Sequence, residues 1–158
     1  MTERNMLTRD GWEKLRAEHD QLSRVERPKV VQGIADAAAE GDRSENAEYI
    51  YGKKRLRELD KRLSYLSSLL KDPQVVDTTT LSGDRVVFGA TVVIEDEDGQ
   101  TRQYTIVGEG ESDTGSGHIS YKAPVARALL GKRVGDVVVI ERPAGELEVE
   151  VKALKFPR

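Results

Sequence analysis

The sequence predicts an α+β protein: an N-terminal antiparallel coiled-coil hairpin followed by a small antiparallel sheet with one short helix. Three observations predict it. Apolar residues recur at helical 3–4 spacing on both sides of a polar stretch at residues 41–49. Lys71-Asp72-Pro73 closes the second run, and beyond Pro73 the apolar period changes to two. The division expected is residues 1–73 for the helical arm and 74–158 for the compact part.

The first helix should start at Thr8, a cap residue after Leu7, with Asp10 in the first turn. Trp12, Leu15, His19 and Leu22 then form a seam that resumes as Val30, Ile34 and Ala37 or Ala38. Pro28 lies inside this pattern, so a kink or a fresh segment is expected there, and Gly33 weakens the helix further. The small residues Ala35 and Ala37-Ala38-Ala39 would let a partner helix approach closely.

The second helix reads more cleanly. Tyr49, Gly52, Leu56, Leu59, Leu63, Leu66 and Leu70 keep a 3–4 heptad spacing. Two such seams joined by a short turn must bury each other, which gives an antiparallel hairpin roughly 40 Å long at about 1.5 Å per residue.

After Pro73 the expected strands are Gln74–Asp77, Asp84–Phe88, Thr91–Glu95, Arg102–Val107, His118–Ser120, Asp136–Ile140 and Glu146–Leu154. Asp98-Gly99 and Pro143-Ala144-Gly145 supply turns. A short helix fits 124–130, with Pro124 at its first position and Gly131 past its end. The loop Gly108–Gly117, rich in Gly, Ser and acid, reads as mobile.

Composition narrows the function. Cysteine is absent, which excludes disulfides and thiolate metal sites and fits a reducing cytoplasm. His19 and His118 are too few and too far apart for a zinc site. The first residues lack the apolar core of a signal peptide, and no run approaches a membrane span, so a cytoplasmic protein with no membrane partner is expected. The net charge of −3 conceals an asymmetry: residues 1–71 carry 15 basic and 13 acidic side chains, residues 72–158 ten and 15. Lys53, Lys54, Arg55, Arg57, Lys61 and Arg62 face only Glu58 and Asp60 within ten residues, a candidate phosphate-backbone site.

Two constellations carry chemistry. Asp42 and Glu45 have capping-box spacing at a helix start, with Ser44 as an alternative cap, and on spacing alone that is the simpler reading. The other reading is a pair of carboxylates at an exposed tip that binds a divalent cation; two acids are too few for an all-protein Mg²⁺ site, so another molecule would complete it. The basic stretch reads either as a solvated face with pairs such as Glu58–Arg62 or, since Lys54, Arg57 and Lys61 can align, as a stripe that tracks a single nucleic-acid strand. Trp12 and His19 read as core; Tyr49 fits the seam, and Tyr51 need not. There is no nucleophile motif, no phosphate-binding glycine loop and no metal-ligand cluster, so no self-contained active site is expected.

The tip Gly41-Asp42-Arg43-Ser44-Glu45-Asn46-Ala47-Glu48-Tyr49 resembles that of the Gre transcript cleavage factors of bacterial RNA polymerase. The likeness continues through Lys53-Lys54-Arg55-Leu56-Arg57-Glu58-Leu59-Asp60-Lys61-Arg62 and Ser120-Tyr121-Lys122-Ala123-Pro124-Val125-Ala126-Arg127-Ala128-Leu129-Leu130, then Gly131-Lys132-Arg133-Val134-Gly135-Asp136, and covers nearly the whole chain. Arg43, Glu26-Arg27-Pro28 and the dense basic run resemble the GreB branch more than GreA. Gly52 and the loop Glu109–Gly117 depart from the family pattern.

The resemblance implies an FKBP-like C-terminal domain that docks at the rim of the polymerase's secondary channel through Pro124, Val125 and Arg127. It implies an arm that reaches the polymerase active site, where Asp42 and Glu45 help hold the second Mg²⁺ and a water for hydrolysis of backtracked RNA. That Mg²⁺ is shared with the polymerase, and the isolated protein would hold no cofactor. Arg43, Ser44 and Asn46 would support the tip, while Lys53, Lys54, Arg55, Arg57 and Lys61 would hold the nascent RNA 3′ segment. The chain is then a monomeric stimulator of the polymerase's own hydrolysis, and not an enzyme alone. Two rival classes are a channel-binding regulator without cleavage activity and a peptidyl-prolyl isomerase. The second lacks an obvious aromatic-lined pocket, since the C-terminal part offers only Phe88, Tyr104, Tyr121 and Phe156.

Overall fold

The computed structural model describes residues 4–41 and 46–157. Two compact units emerge. One is Glu13–Lys71; the other takes in the described residues up to Trp12 and from Asp72 onward. The boundary therefore falls inside the first helix. The N-terminal residues join the second unit because a short strand, β1 (Met6–Thr8), pairs in parallel with β2 (Gln74–Val76). That pairing, between strands of three residues each and far apart in sequence, was not anticipated.

The helical unit is the expected hairpin. Helix α1 (Arg9–Gln21) runs into a π-helical turn at Leu22–Glu26, and α2 (Arg27–Ala39) follows with Pro28 in its first turn. Pro28 has no N–H to offer the preceding turn, and the chain widens its turn just ahead of the proline instead of breaking. Helix α3 (Ala47–Leu70) packs against α2. Its seam is the predicted one: Leu59 and Leu66 are fully buried, at about 1.5–3 kcal/mol each, and Leu56 and Leu63 are half-buried. At the end the seam shifts by one, so that Leu69 is buried and Leu70 only partly. Gly52, an odd choice for a helix, is explained by its neighbour. A Cβ there would lie 2.7 Å from Ile34 Cγ1, so glycine lets the two helices come close.

The second unit holds a five-stranded sheet in the order β5-β4-β3-β7-β6, built from β3 (Thr91–Asp96), β4 (Thr101–Val107), β5 (His118–Ser120), β6 (Val137–Ile140) and β7 (Leu147–Lys155). Its pairs are antiparallel except β4–β5, which is parallel where a wholly antiparallel sheet was expected. Helix α4 (Pro124–Leu129) places Ala126 and Leu129 in the core against Ile94, Ile106 and Val149. Gly131 follows it at φ +84, as its place past a helix end requires. Asp84–Phe88 is not a strand. Val86 and Phe88 are buried, which explains their alternation, but the segment forms only an isolated bridge, Arg85 with Arg133, and the bonds Val86 N to Lys132 O and Gly131 N to Val86 O, both 2.8 Å.

Candidate functional site

Asp42, Arg43, Ser44 and Glu45 lie outside the described residues, so the tip is defined through its flanks. Helix α2 closes at Ala39, and α3 opens at Ala47 under Asn46. Asn46 has extended backbone, and its Oδ1 accepts from Tyr49 N at 3.1 Å, which satisfies one orphan donor of the first turn. Its Nδ2 donates to Ala37 O at 2.7 Å, across the turn. One side chain thus caps α3 and ties it to the end of α2. The cap of α3 is Asn46, with Tyr49 three positions on; the capping-box reading of Asp42, Ser44 and Glu45 lies outside the described residues.

The basic stretch lies along α3. Side chains three and four apart are neighbours on a helix. Lys54, Arg57 and Lys61 fall in one such line, as do Lys53, Arg57 and Lys61, and Lys54 and Arg55 flank Tyr51 one turn on. Lys53, Lys54, Arg57 and Lys61 are exposed; Arg55 is half-buried and reaches Glu58 at 3.8 Å. Lys53 Nζ also stands 6.0 Å from the centroid of the Tyr49 ring. The anticipated Glu58–Arg62 pair does not form. Arg62 instead donates to Glu18 across the hairpin at 2.7 and 2.8 Å, and Arg27 donates to Asp60 at 2.8 Å. These bonds hold the Glu18 and Asp60 carboxyls below their ordinary values, chiefly through hydrogen bonds from Arg62 and Arg27. The two pairs straddle the π-helical turn, and His19 Nε2 meets Ser67 Oγ at 3.1 Å on the same hairpin.

Of the residues expected to dock, Pro124 and Arg127 are exposed on α4, while Val125 packs partly against the core. The loop at 108–117, expected to be mobile, is held. Glu111 Oε2 accepts from Thr8 N at 3.0 Å and Gly108 N at 2.7 Å, and its Oε1 accepts from the Thr8 hydroxyl. Thr8 Oγ1 in turn accepts from Gly11 N at 3.1 Å, the cap predicted for α1. Glu111 was missed because its partner Thr8 lies a hundred residues upstream; the flanking Gly108 and Gly110 were the available sign of a shaped turn. Among the described residues no three His, Asp or Glu side chains gather to hold a metal ion, and no helix is long and apolar enough to cross a membrane.

In the helical unit Asn46 ties α3 to the end of α2, and α3 carries the exposed cations Lys53, Lys54, Arg57 and Lys61. Two family models match nearly all of this chain: the transcription elongation factor N-terminal model over residues 5–75, and the GreA/GreB C-terminal model over residues 81–156. The chain belongs to the GreA/GreB family of transcription elongation factors. GreB of Haemophilus influenzae is 47% identical over 158 residues, covering 100% of both chains. GreB of Pseudomonas aeruginosa is 47% identical over 152 residues, 96% of this chain and 90% of that one. GreA of Nitratidesulfovibrio vulgaris is 44% identical over 148 residues, covering 93% and 90%. The likeness leans to the GreB branch. Among solved structures, GreA factor homolog 1 of Thermus thermophilus aligns over 96% of this chain and 99% of that one at 24% identity and a TM-score of 0.46, too loose a likeness to bear on side chains.

Proposed function

We propose that this chain inserts the tip of its arm into the secondary channel of RNA polymerase and stimulates the polymerase's own endonucleolytic cleavage of backtracked nascent RNA. It does so as a cytoplasmic monomer. The observation that supports this best is the Asn46 cap. Asn46 is enough to cap α3, so that helix does not need Asp42 or Glu45, and this reading gives their carboxylates another task.

Two carboxylates are hard oxygen donors that suit Mg²⁺ but are too few to enclose it, so polymerase and RNA oxygens would complete the site. A shared second Mg²⁺, when bound, supplies charge stabilisation for hydrolysis of the RNA backbone. Asp42 and Glu45 would hold it and the attacking water, Arg43 and Ser44 would position these acids or the RNA, and Asn46 ties the two helices beside the turn. Lys53, Lys54, Arg55, Arg57 and Lys61 hold the extruded 3′ segment, and Pro124 and Arg127, supported by Val125, dock the second unit at the channel rim. The chain contributes half of a site and is not an enzyme alone.

The test is to add the protein to a stalled, backtracked transcription complex and follow the RNA. Release of short 3′ fragments is expected. Binding to the polymerase without fragment release would instead identify a channel-occupying regulator. Neutralising Lys53, Lys54, Arg55 and Arg57 together should weaken cleavage of long fragments more than of dinucleotides; equal loss on both would remove the RNA stripe from this reading.

A further inference from the structure

Tyr51 has no part in the helical seam or in the tip. It is 69% exposed on the second turn of α3, and its neighbour Ile50 is 52% exposed. Beside it a groove of about 420 Å³ runs between α2 and α3, within the range of about 300–1,000 Å³ of sites that hold small molecules. Two glycines shape it. Gly33 has nothing within 4 Å of where a Cβ would stand, which leaves the floor open, and Gly52 lets Ile34 and its helix approach. Val30 and Ala47 complete an apolar floor, Tyr51 forms a wall, and Arg55 and Glu48 are the charged groups on the rim.

The charges identify the occupant. Arg55 is only loosely paired with Glu58, at 3.8 Å, so its guanidinium keeps donors to spare. Lys54, one turn from Tyr51, is exposed. A flat apolar slot with an aromatic wall and cations on its edge is the chemistry that receives an unpaired nucleobase, with the ring stacked and the phosphates against the cations.

We propose that this groove takes one unpaired base of single-stranded RNA, stacked on Tyr51, with the adjoining phosphates on Lys54 and Arg55. The inference rests on the RNA-binding part of the function proposed above. Glu48 on the rim accepts a hydrogen bond from an exocyclic amino group, which favours adenine, cytosine and guanine over uracil. Arg57 and Lys61, which follow Lys54 at three- and four-residue spacing, continue the phosphate track away from the groove.

The full chain is titrated at low salt with a short oligoadenylate and with an abasic oligomer of equal length, while NMR signals of the Tyr51 ring and the Gly33 and Gly52 amides are followed. The oligoadenylate should shift all three and the abasic oligomer should not. Tyr51→Ala should lower affinity about tenfold, and Tyr51→Phe should preserve it. Gly33→Leu fills the groove without touching a charge and should lower affinity like Tyr51→Ala, while far-ultraviolet circular dichroism shows the helices intact. Equal binding of the abasic oligomer, an unchanged affinity for Tyr51→Ala, or no shift at millimolar oligomer would each overturn the proposal, as would occupation of the groove by apolar peptides in preference to RNA. No polymerase is present, so failure of the cleavage role leaves these readouts untouched.

Discussion

The Asn46 side chain bridges two helices: its amide nitrogen donates to the Ala37 carbonyl at 2.7 Å while its oxygen caps α3. Both halves of this amide are needed. Asn46→Ala should destabilise the arm by about 1–2 kcal/mol, through the lost cap and the lost bond to Ala37 O, which keeps only its bond from Glu40 N. Asn46→Asp keeps the acceptor and loses the donor, so it should fall between. Urea unfolding checks the order wild type, Asn46→Asp, Asn46→Ala; Asn46→Asp as unstable as Asn46→Ala would show that the bond to Ala37 alone matters.

Glu111 should be a structural keystone of the second unit. Glu111→Ala leaves the Thr8 and Gly108 amides without their acceptor, at a cost of about 2–4 kcal/mol. Glu111→Gln should recover part of this: its oxygen can accept from both amides, while its nitrogen replaces the acceptor of the Thr8 hydroxyl. Denaturant midpoints of the full chain measure both, and an unchanged midpoint for Glu111→Ala would remove the loop from the account of stability.

Gly52 and Ile34 should be energetically coupled. Gly52→Ala gains helix propensity but drives a Cβ onto Ile34 Cγ1, so a net loss of about 1 kcal/mol is expected. In an Ile34→Ala background the same change should become stabilising. A double-mutant cycle by thermal unfolding reads the coupling, and additivity would mean the helices are not in close contact there.

The cross-hairpin pairs set a pH dependence. Glu18 and Asp60 have carboxyls depressed below their ordinary 4.5 and 3.8. A depressed carboxyl contributes stability above its unfolded pKa and loses it as pH falls through the folded one. The stability lost on Glu18→Gln should therefore be full at neutral pH and shrink in acid, below about pH 4. Both groups are largely exposed, so the effect is small and should weaken with added salt. A difference that stays constant down to acid pH would contradict the pair.

What the sequence disclosed follows from which signals are local. The seam of α3 was legible because Leu59, Leu63 and Leu66 repeat on one face of one helix. The cap was not, because Asp42, Ser44 and Asn46 all carry the same local signature, and the bond from Asn46 to Ala37 lies on the preceding helix. Val86 and Phe88 alternate as a strand would, yet burial produced the pattern without a ladder. β1 and the Glu111–Thr8 bonds depend on partners that only the folded chain brings near. The tip acids stood out by type and spacing; in the function proposed, oxygens of the polymerase and the RNA would complete their site.

The central claim concerns Asp42 and Glu45, and one paired measurement tests it most directly: fragment release from a backtracked complex and affinity for the polymerase, for wild type and for Asp42→Asn with Glu45→Gln. Affinity within about twofold and cleavage reduced by about a hundredfold or more are predicted, as for loss of groups that stabilise a transition state. Robust cleavage by the doubly substituted protein would contradict it.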